Sequence, residues 1–138
     1  MKGLSQLGIE SKYAPINDIL ASGKKISGNA QTRKHGTVLQ HGTVLMDVDV
    51  DKMFSLLKVP NEKIKDKLIT DVKQRVTSIQ HCLGNEVSFQ KVATAMKAGF
   101  EEEFHITLFE GKLSKNEQVL AKQFERETFS TKEWNQRR

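Results

Sequence analysis

Asn17-Asp18, followed by Gly23-Lys24-Lys25-Ile26-Ser27-Gly28-Asn29-Ala30-Gln31, is the stretch of this sequence richest in groups able to do chemistry. A lysine entering a strand beside a serine and a glycine can aim its ammonium at an anion. The glycine lets the backbone approach that anion closely. Asn17 and Asp18, on a partner strand, could bring an amide and a carboxylate to the same ligand. Spacing alone leaves a second account open, a solvated hairpin turn with two surface lysines. His41 could hydrogen-bond in such a site, although a histidine inside a strand is commonly a structural donor. His35, His81 and His105 are weaker candidates. Cys82 reads as an incidental, half-buried thiol at the end of an expected helix. One cysteine and four scattered histidines make neither a disulfide scaffold nor a metal site of the zinc type.

The net charge of +5 is unevenly placed. Residues 1–46 hold Lys2, Lys12, Lys24, Lys25, Arg33 and Lys34 against only Glu10 and Asp18, so an anionic ligand is expected there. The 138 residues suit one domain, 1–138, with no linker rich in Pro, Gly or Ser. No apolar run approaches the roughly 20 residues that span a bilayer, and Met1-Lys2-Gly3-Leu4-Ser5-Gln6 lacks the apolar core of a signal peptide. The expected setting is cytoplasmic, with no membrane partner. Without a groove-reading helix or a basic-aromatic motif, no nucleic-acid partner is expected either.

The elements that must position these residues follow from periodicity. Residues 3–9 predict a short helix end. Lys12 to Leu20 predicts one edge strand, since Pro15 removes a ladder donor. Ala21-Ser22-Gly23-Lys24 predicts a tight turn, Lys25 to Thr32 a returning strand, and Gly36 to Val48 a long β-rich stretch. His35-Gly36-Thr37-Val38-Leu39 recurs as His41-Gly42-Thr43-Val44-Leu45, which would put both histidines on one face of an unbroken strand. Asp49 then predicts a cap for a helix with Met53, Phe54, Leu56 and Leu57 that ends at Pro60. Asn61 predicts the start of another, and Asp71 to Ile79 a third. Ser88 caps a helix with Phe89, Val92, Ala93, Met96 and Phe100, and Phe104 to Phe109 predicts a late strand. Ser114 and Glu117 form a capping box. Phe54, Phe89, Phe100, Phe104 and Phe124 are expected to pack in the core, and Glu101-Glu102-Glu103 to be a solvated helix end. The class is α+β, a small antiparallel or mixed sheet packed against several helices.

Ile16-Asn17-Asp18-Ile19, Lys25-Ile26-Ser27-Gly28-Asn29-Ala30-Gln31 and Gly36-Thr37-Val38-Leu39-Gln40-His41-Gly42-Thr43-Val44-Leu45 together resemble the central segment of lipoate–protein ligases in the biotin/lipoate ligase superfamily. Met53 through Pro60, Arg75-Val76-Thr77-Ser78-Ile79 and Phe129 through Asn135 resemble later elements of that family, in order. The family's Arg- and Gly-rich loop, which lies upstream and wraps the lipoyl chain and adenylate phosphate, has no counterpart. The resemblance therefore implies a partial domain, the second half of a catalytic domain that is divided between polypeptides or truncated.

The reaction so implied uses ATP, Mg²⁺ and lipoate. The lipoate carboxylate attacks the α-phosphorus, and the lipoyl-adenylate then acylates a lysine of a lipoyl carrier domain. By resemblance Lys25 is the catalytic cation. Ser27, Gly28 and Ala30 line the pocket, Asn17 and Asp18 face the nucleotide with Asp18 a magnesium ligand, and His41 belongs to the substrate site. The implied partners are the carrier and a complementary ligase half or a second copy, and the isolated chain is expected to be inactive or weakly active. Two other functions fit the family: a non-catalytic binding module, and an octanoyl or lipoyl transferase working through a cysteine.

Overall fold

Two tight turns shape the first 44 residues, each built from a residue pair in the left-handed region: Ser22-Gly23 (φ 49° and 77°) and His35-Gly36 (φ 53° and 72°). Such pairs match the twist of an antiparallel hairpin. They join β2 (Asp18–Ala21), β3 (Lys24–Lys34) and β4 (Thr37–Val44), and β1 (Ser11–Ala14) completes a sheet of order β1-β2-β3-β4, antiparallel throughout. The computed structural model describes residues 1–56 and 62–137. These gather into two compact units, Met1–Thr107 and Leu108–Arg138, where composition predicts one continuous unit.

The predicted strand Lys12–Leu20 is in fact two strands, because the chain turns back at Pro15-Ile16-Asn17 and Tyr13 pairs with Ile19. The duplicated HGTVL segments also part company. His35-Gly36 is the hairpin turn, whereas His41 and Gly42 lie within β4, opposite Ala30 and Asn29. An even sequence offset cannot keep two residues on one face when a turn intervenes. Between β2 and β3 the register slips, Ile19 pairing with Ser27 and Leu20 with Lys25, so Ile26 is the extra residue of a bulge. Ile26 is fully buried in a core with Leu4, Ile9, Ala21, Ile79 and Val92.

Helix α1 (Lys2–Ser5) lies against α5 (Phe89–Phe104), which Ser88 caps by accepting from the Lys91 N–H. The two backbones touch through glycine. A Cβ on Gly99 would run into the backbone of Gly3 and Lys2, and one on Gly3 would meet Met96. The predicted solvated acidic run is partly paired, since Glu102 takes Lys2 Nζ at 2.7 Å and Gln6 Nε2 at 3.0 Å, and Glu101 takes Lys97 at 3.0 Å.

Helix α2 (Val50–Leu56) starts as predicted, with Asp49 accepting from the Lys52 N–H. The ending at Pro60, the Asn61 cap, Leu57 and the Phe54 side chain lie outside the described residues, as does Arg138. The predicted helix Asp71–Ile79 is corrected: α3 spans Glu62–Arg75, Val76-Thr77-Ser78 is extended, and α4 (Ile79–Leu83) begins after a Ser78 cap. Val76 N still bonds back to Val72 O, but the Thr77, Ile79 and Gln80 amides go to the start of β3 and to the chain just after β4. Thr77 N donates to Lys25 O, Ile79 N to Leu45 O and Gln80 N to Met46 O.

The predicted strand Phe104–Phe109 does not form. Helix α5 runs to Phe104, His105 closes it in the left-handed region, and residues 106–114 adopt neither strand nor helix. The four predicted core phenylalanines that the structure describes, Phe89, Phe100, Phe104 and Phe124, are all more than half exposed. No helix of the described residues is long and apolar enough to cross a membrane.

The second unit comprises α6 (Lys115–Phe124), a π-helical turn (Glu125–Phe129) and α7 (Lys132–Asn135), with Phe129 and Trp134 edge to face at 5.2 Å. The predicted capping box is present, Glu117 N donating to Ser114 Oγ and Ser114 N to Glu117 Oε2. Bonding to the Ser114 side chain, then to its backbone, holds the Glu117 carboxyl below its ordinary value of 4.5. A lowered folded value means that the cap contributes fully above 4.5 and fades as the pH falls through that lower value. The Ser114 and Gln118 amide shifts should therefore titrate on the acid side. In Glu117→Gln, which keeps the box without the charge, that titration should vanish.

Candidate functional site

Lys25 is the second residue of β3 and is pinned from both sides. It pairs with Leu20 across the sheet, forms an isolated parallel bridge with Val76, and accepts from Thr77 N at 2.9 Å. Its ammonium lies 2.7 Å from Asp18 Oδ1. That oxygen is shut off from solvent and accepts no hydrogen bond of regular geometry, so the ammonium alone compensates its burial among the described residues. The rest of the pair is open, with the Lys25 side chain 42% exposed. Lys24, next to it, turns away and donates to Lys73 O at the end of α3.

Gly28 is opposite Asp18 in the ladder, on the same face. A Cβ there would sit 3.0 Å from Lys25 Cε and 3.1 Å from Nζ. The absent side chain therefore makes room for the ammonium over bare backbone. Because that neighbour is the end of a flexible side chain, Gly28→Ala should change stability by less than about 0.5 kcal/mol. It should displace the ammonium from Asp18, read as a changed Lys25 Nζ shift in lysine-labelled protein at an unaltered thermal midpoint.

The other predicted residues are distributed by strand alternation. Ser27 points to the opposite face, is 2% exposed, and accepts from Asn29 Nδ2 at 3.2 Å. Asn17 is committed to the fold: its Nδ2 donates to Asn29 O at 2.5 Å, while its carbonyl accepts from Asn29 N and Nδ2. Ala30 and His41 pair farther along the β3–β4 hairpin, both exposed. The structure thus brings together Lys25, Asp18 and Gly28, with Asn17 beside them. It puts Ser27 behind the sheet and Ala30 and His41 out on the hairpin.

Behind the sheet, Ser27, Asn29, His41, Ile19, Val44 and the Met96–Phe104 end of α5 line an open cavity of about 830 Å³. Two contributors escaped sequence reasoning. Asn29 locks the β1–β2 turn that carries Asp18, and a Cβ on Gly42 would strike its amide. The Val76-Thr77 strap holds the backbone of Lys25, and its signal was Ser78, an N-cap that forces the preceding residues out of a helix.

The buried oxygen of Asp18, the expected magnesium ligand, faces the Lys25 ammonium. Cys82 is half-buried against the core, with Sγ 3.6 Å from Thr77 Oγ1.

Comparison with known proteins gives a consistent picture. Residues 1–101 match the lipoyl protein ligase A/B catalytic domain. An octanoyltransferase LipM of Brevibacillus brevis is 37% identical over 121 residues, 88% of this chain and 44% of that protein. Among solved structures, a bi-partite lipoate protein ligase of Thermoplasma acidophilum superposes with a TM-score of 0.87 at 32% identity, covering 97% of this chain and 52% of that one. A lipoate-protein ligase A bound with ATP gives 0.79 at 29% identity, covering 97% and 53%. The chain thus spans about half the length of the proteins it matches.

Proposed function

Since the chain belongs to the lipoyl protein ligase A/B catalytic domain family, we propose that it is part of an ATP-dependent lipoate–protein ligase that modifies a lysine of a lipoyl carrier domain. It works with a complementary polypeptide, in the cytoplasm and without nucleic acid. The observation that carries this reading is the Lys25 ammonium beside Asp18, over the bare backbone of Gly28. Likeness to a ligase bound with ATP supports the nucleotide, and likeness to a bi-partite ligase studied with its lipoyl domain supports the partners.

In the first step a carboxylate oxygen of lipoate attacks the α-phosphorus of ATP, the bond to the pyrophosphate oxygen breaks, and lipoyl-adenylate forms. In the second the carrier amine attacks the anhydride carbonyl, AMP leaves with the bonding electrons, and the amine loses a proton. Both transition states gather negative charge on phosphoryl and carboxyl oxygens. Lys25 meets that charge, and once the complementary polypeptide screens the site from water a fixed ammonium there acts far more strongly than a free one. Asp18 aims Lys25 when the anion is absent, and Gly28 admits the anion to the backbone. Asn17 positions the turn that carries Asp18. Ala30 and His41, two residues beyond Gly28 on its face of the hairpin, extend the wall around this centre, and Ser27 supports the strand from behind.

Lipoate-dependent exchange of pyrophosphate into ATP tests the proposal, with the chain alone and with the complementary polypeptide supplied. Exchange in the mixture is expected. Lipoate binding without exchange would reveal a non-catalytic module instead. The likeness to LipM favours a second reading, octanoyl transfer through a thiol. In that case acyl transfer would proceed without ATP and would stop on alkylation of Cys82, the chain's single cysteine. A lipoyl anhydride is already activated and needs no acyl-enzyme, so under the ligase reading alkylation leaves exchange intact.

A further inference from the structure

Helix α5 carries more apolar surface than this chain covers. Val92, Ala95 and Gly99 are buried, but Phe100 and Phe104, stacked at 6.1 Å, are 53% and 61% exposed at the rim of the cavity behind the sheet. Across that cavity stand Ile19 and Val44. Val44 ends β4, the last strand of the sheet among the described residues, whose outer backbone groups have no strand to pair with. Beyond it the β3–β4 hairpin projects: residues 30–43 are exposed on both faces, Val38 and Leu39 included. A two-stranded ribbon is marginal in water, and an exposed edge with an apolar face templates another strand. A charged or bulged edge would discourage such pairing, yet β4 holds no Asp, Glu, Lys or Arg and pairs with β3 in unbroken register.

We infer that the β4 edge, the Phe100-Phe104 stack and the cavity between them form one docking surface for the polypeptide that makes up the rest of the family's domain, entering as a strand beside β4 with apolar side chains over α5. This deepens the ligase reading and rests on it. The occupant follows from size: the matched proteins are about twice as long as the span this chain covers, and their folded chains hold as much polypeptide again. The hairpin's charge adds to its description. The projecting residues 30–43 hold Arg33 and Lys34 and no Asp or Glu, so the segment that lies along the hairpin carries acidic residues.

The test uses a recombinant polypeptide carrying the part of the Thermoplasma ligase chain that this chain does not cover, titrated against the full 138-residue protein. One-to-one binding is expected, with amide exchange of Thr37–Val44 slowed at least tenfold. The variant Phe100→Glu/Phe104→Glu should bind at least 100-fold more weakly while keeping the far-UV spectrum of the parent, since both rings are exposed. Lys25→Ala should bind as tightly as the parent, which separates this surface from the catalytic reading. Absence of binding, binding without protection of Thr37–Val44, or parental affinity in the double variant would each overturn the inference. So would self-association of the chain that protects Thr37–Val44, because the occupant would then be a second copy.

Discussion

Lys25→Ala should lower the rate of lipoate-dependent pyrophosphate exchange by about 10²–10³, the loss of about 3 kcal/mol that follows removal of one preorganised electrostatic donor. The effect should fall on kcat, because charge at the phosphoryl and carboxyl oxygens is greatest in the transition state and KM reports the ground state. Lys25→Arg should restore little. The ammonium sits against a small backbone opening at Gly28, and a planar guanidinium does not reproduce a compact point charge there. Asp18→Asn should cost less than Lys25→Ala, because Asp18 aims the cation without itself meeting the anion. Stability should scarcely change in Asp18→Asn or Lys25→Arg, whereas Lys25→Ala should lower it by about 1–3 kcal/mol, because Asp18 Oδ1 loses the cation that compensates its burial.

Gly99→Ala is expected to have the largest effect on folding. The added carbon would have to occupy the space of Gly3 and Lys2 backbone atoms, and backbone cannot swing aside as a side chain does. Helix α1 must separate from α5, loosening Leu4 in the core and the Lys2–Glu102 ion pair. Overpacking of this kind costs about 1–3 kcal/mol, and a contact to backbone on the partner helix belongs at the upper end. Urea unfolding should show a lower midpoint with unchanged slope. Gly111→Ala is the control: nothing lies within 4 Å of a Cβ there, and its midpoint should match the parent's.

These two glycines mark how far a sequence can be read. Gly28 was legible as part of a site because it stands between a serine and an asparagine in a strand headed by lysine. Gly99 was not, since the need for glycine arises from α1, some ninety residues away in the chain. The same division runs through the fold. Local chemistry announced itself: the Asp49, Ser88 and Ser114 caps, and the Ser22-Gly23 turn with its two left-handed residues. Whatever depended on a distant partner did not. Val76 and Thr77 read as helix by periodicity, yet Val76 bridges to Lys25 and Thr77 N donates to Lys25 O. Phe104, Ile106 and Leu108 alternate like a strand, but α5 runs through Phe104 and the two others lie in no strand. Phe100 and Phe104 have core spacing and are exposed, because spacing records that a face is to be covered and not by which polypeptide.

In the candidate site, pairing of Lys25 with Asp18 was within reach of the sequence, because a hairpin turn at Ser22-Gly23 brings residues near 18 and 25–28 together. The bulge at Ile26 was not. By shifting the register it returns Lys25 to the face of Gly28 and leaves Ser27 behind the sheet, which the resemblance had put in the same pocket wall. In the sequence Asn29 stands inside a motif without a role of its own, and its contacts make it the lock on the turn that carries Asp18.

The central claim is that the Lys25 ammonium meets the oxygens of an acyl-phosphate anhydride. Its most direct test is calorimetric titration of a non-hydrolysable lipoyl-adenylate analogue into the protein assembled with its complementary polypeptide. Parent protein and Lys25→Ala should differ in Kd by about 100-fold, with equal stoichiometry. Equal affinity in the two proteins would contradict the account.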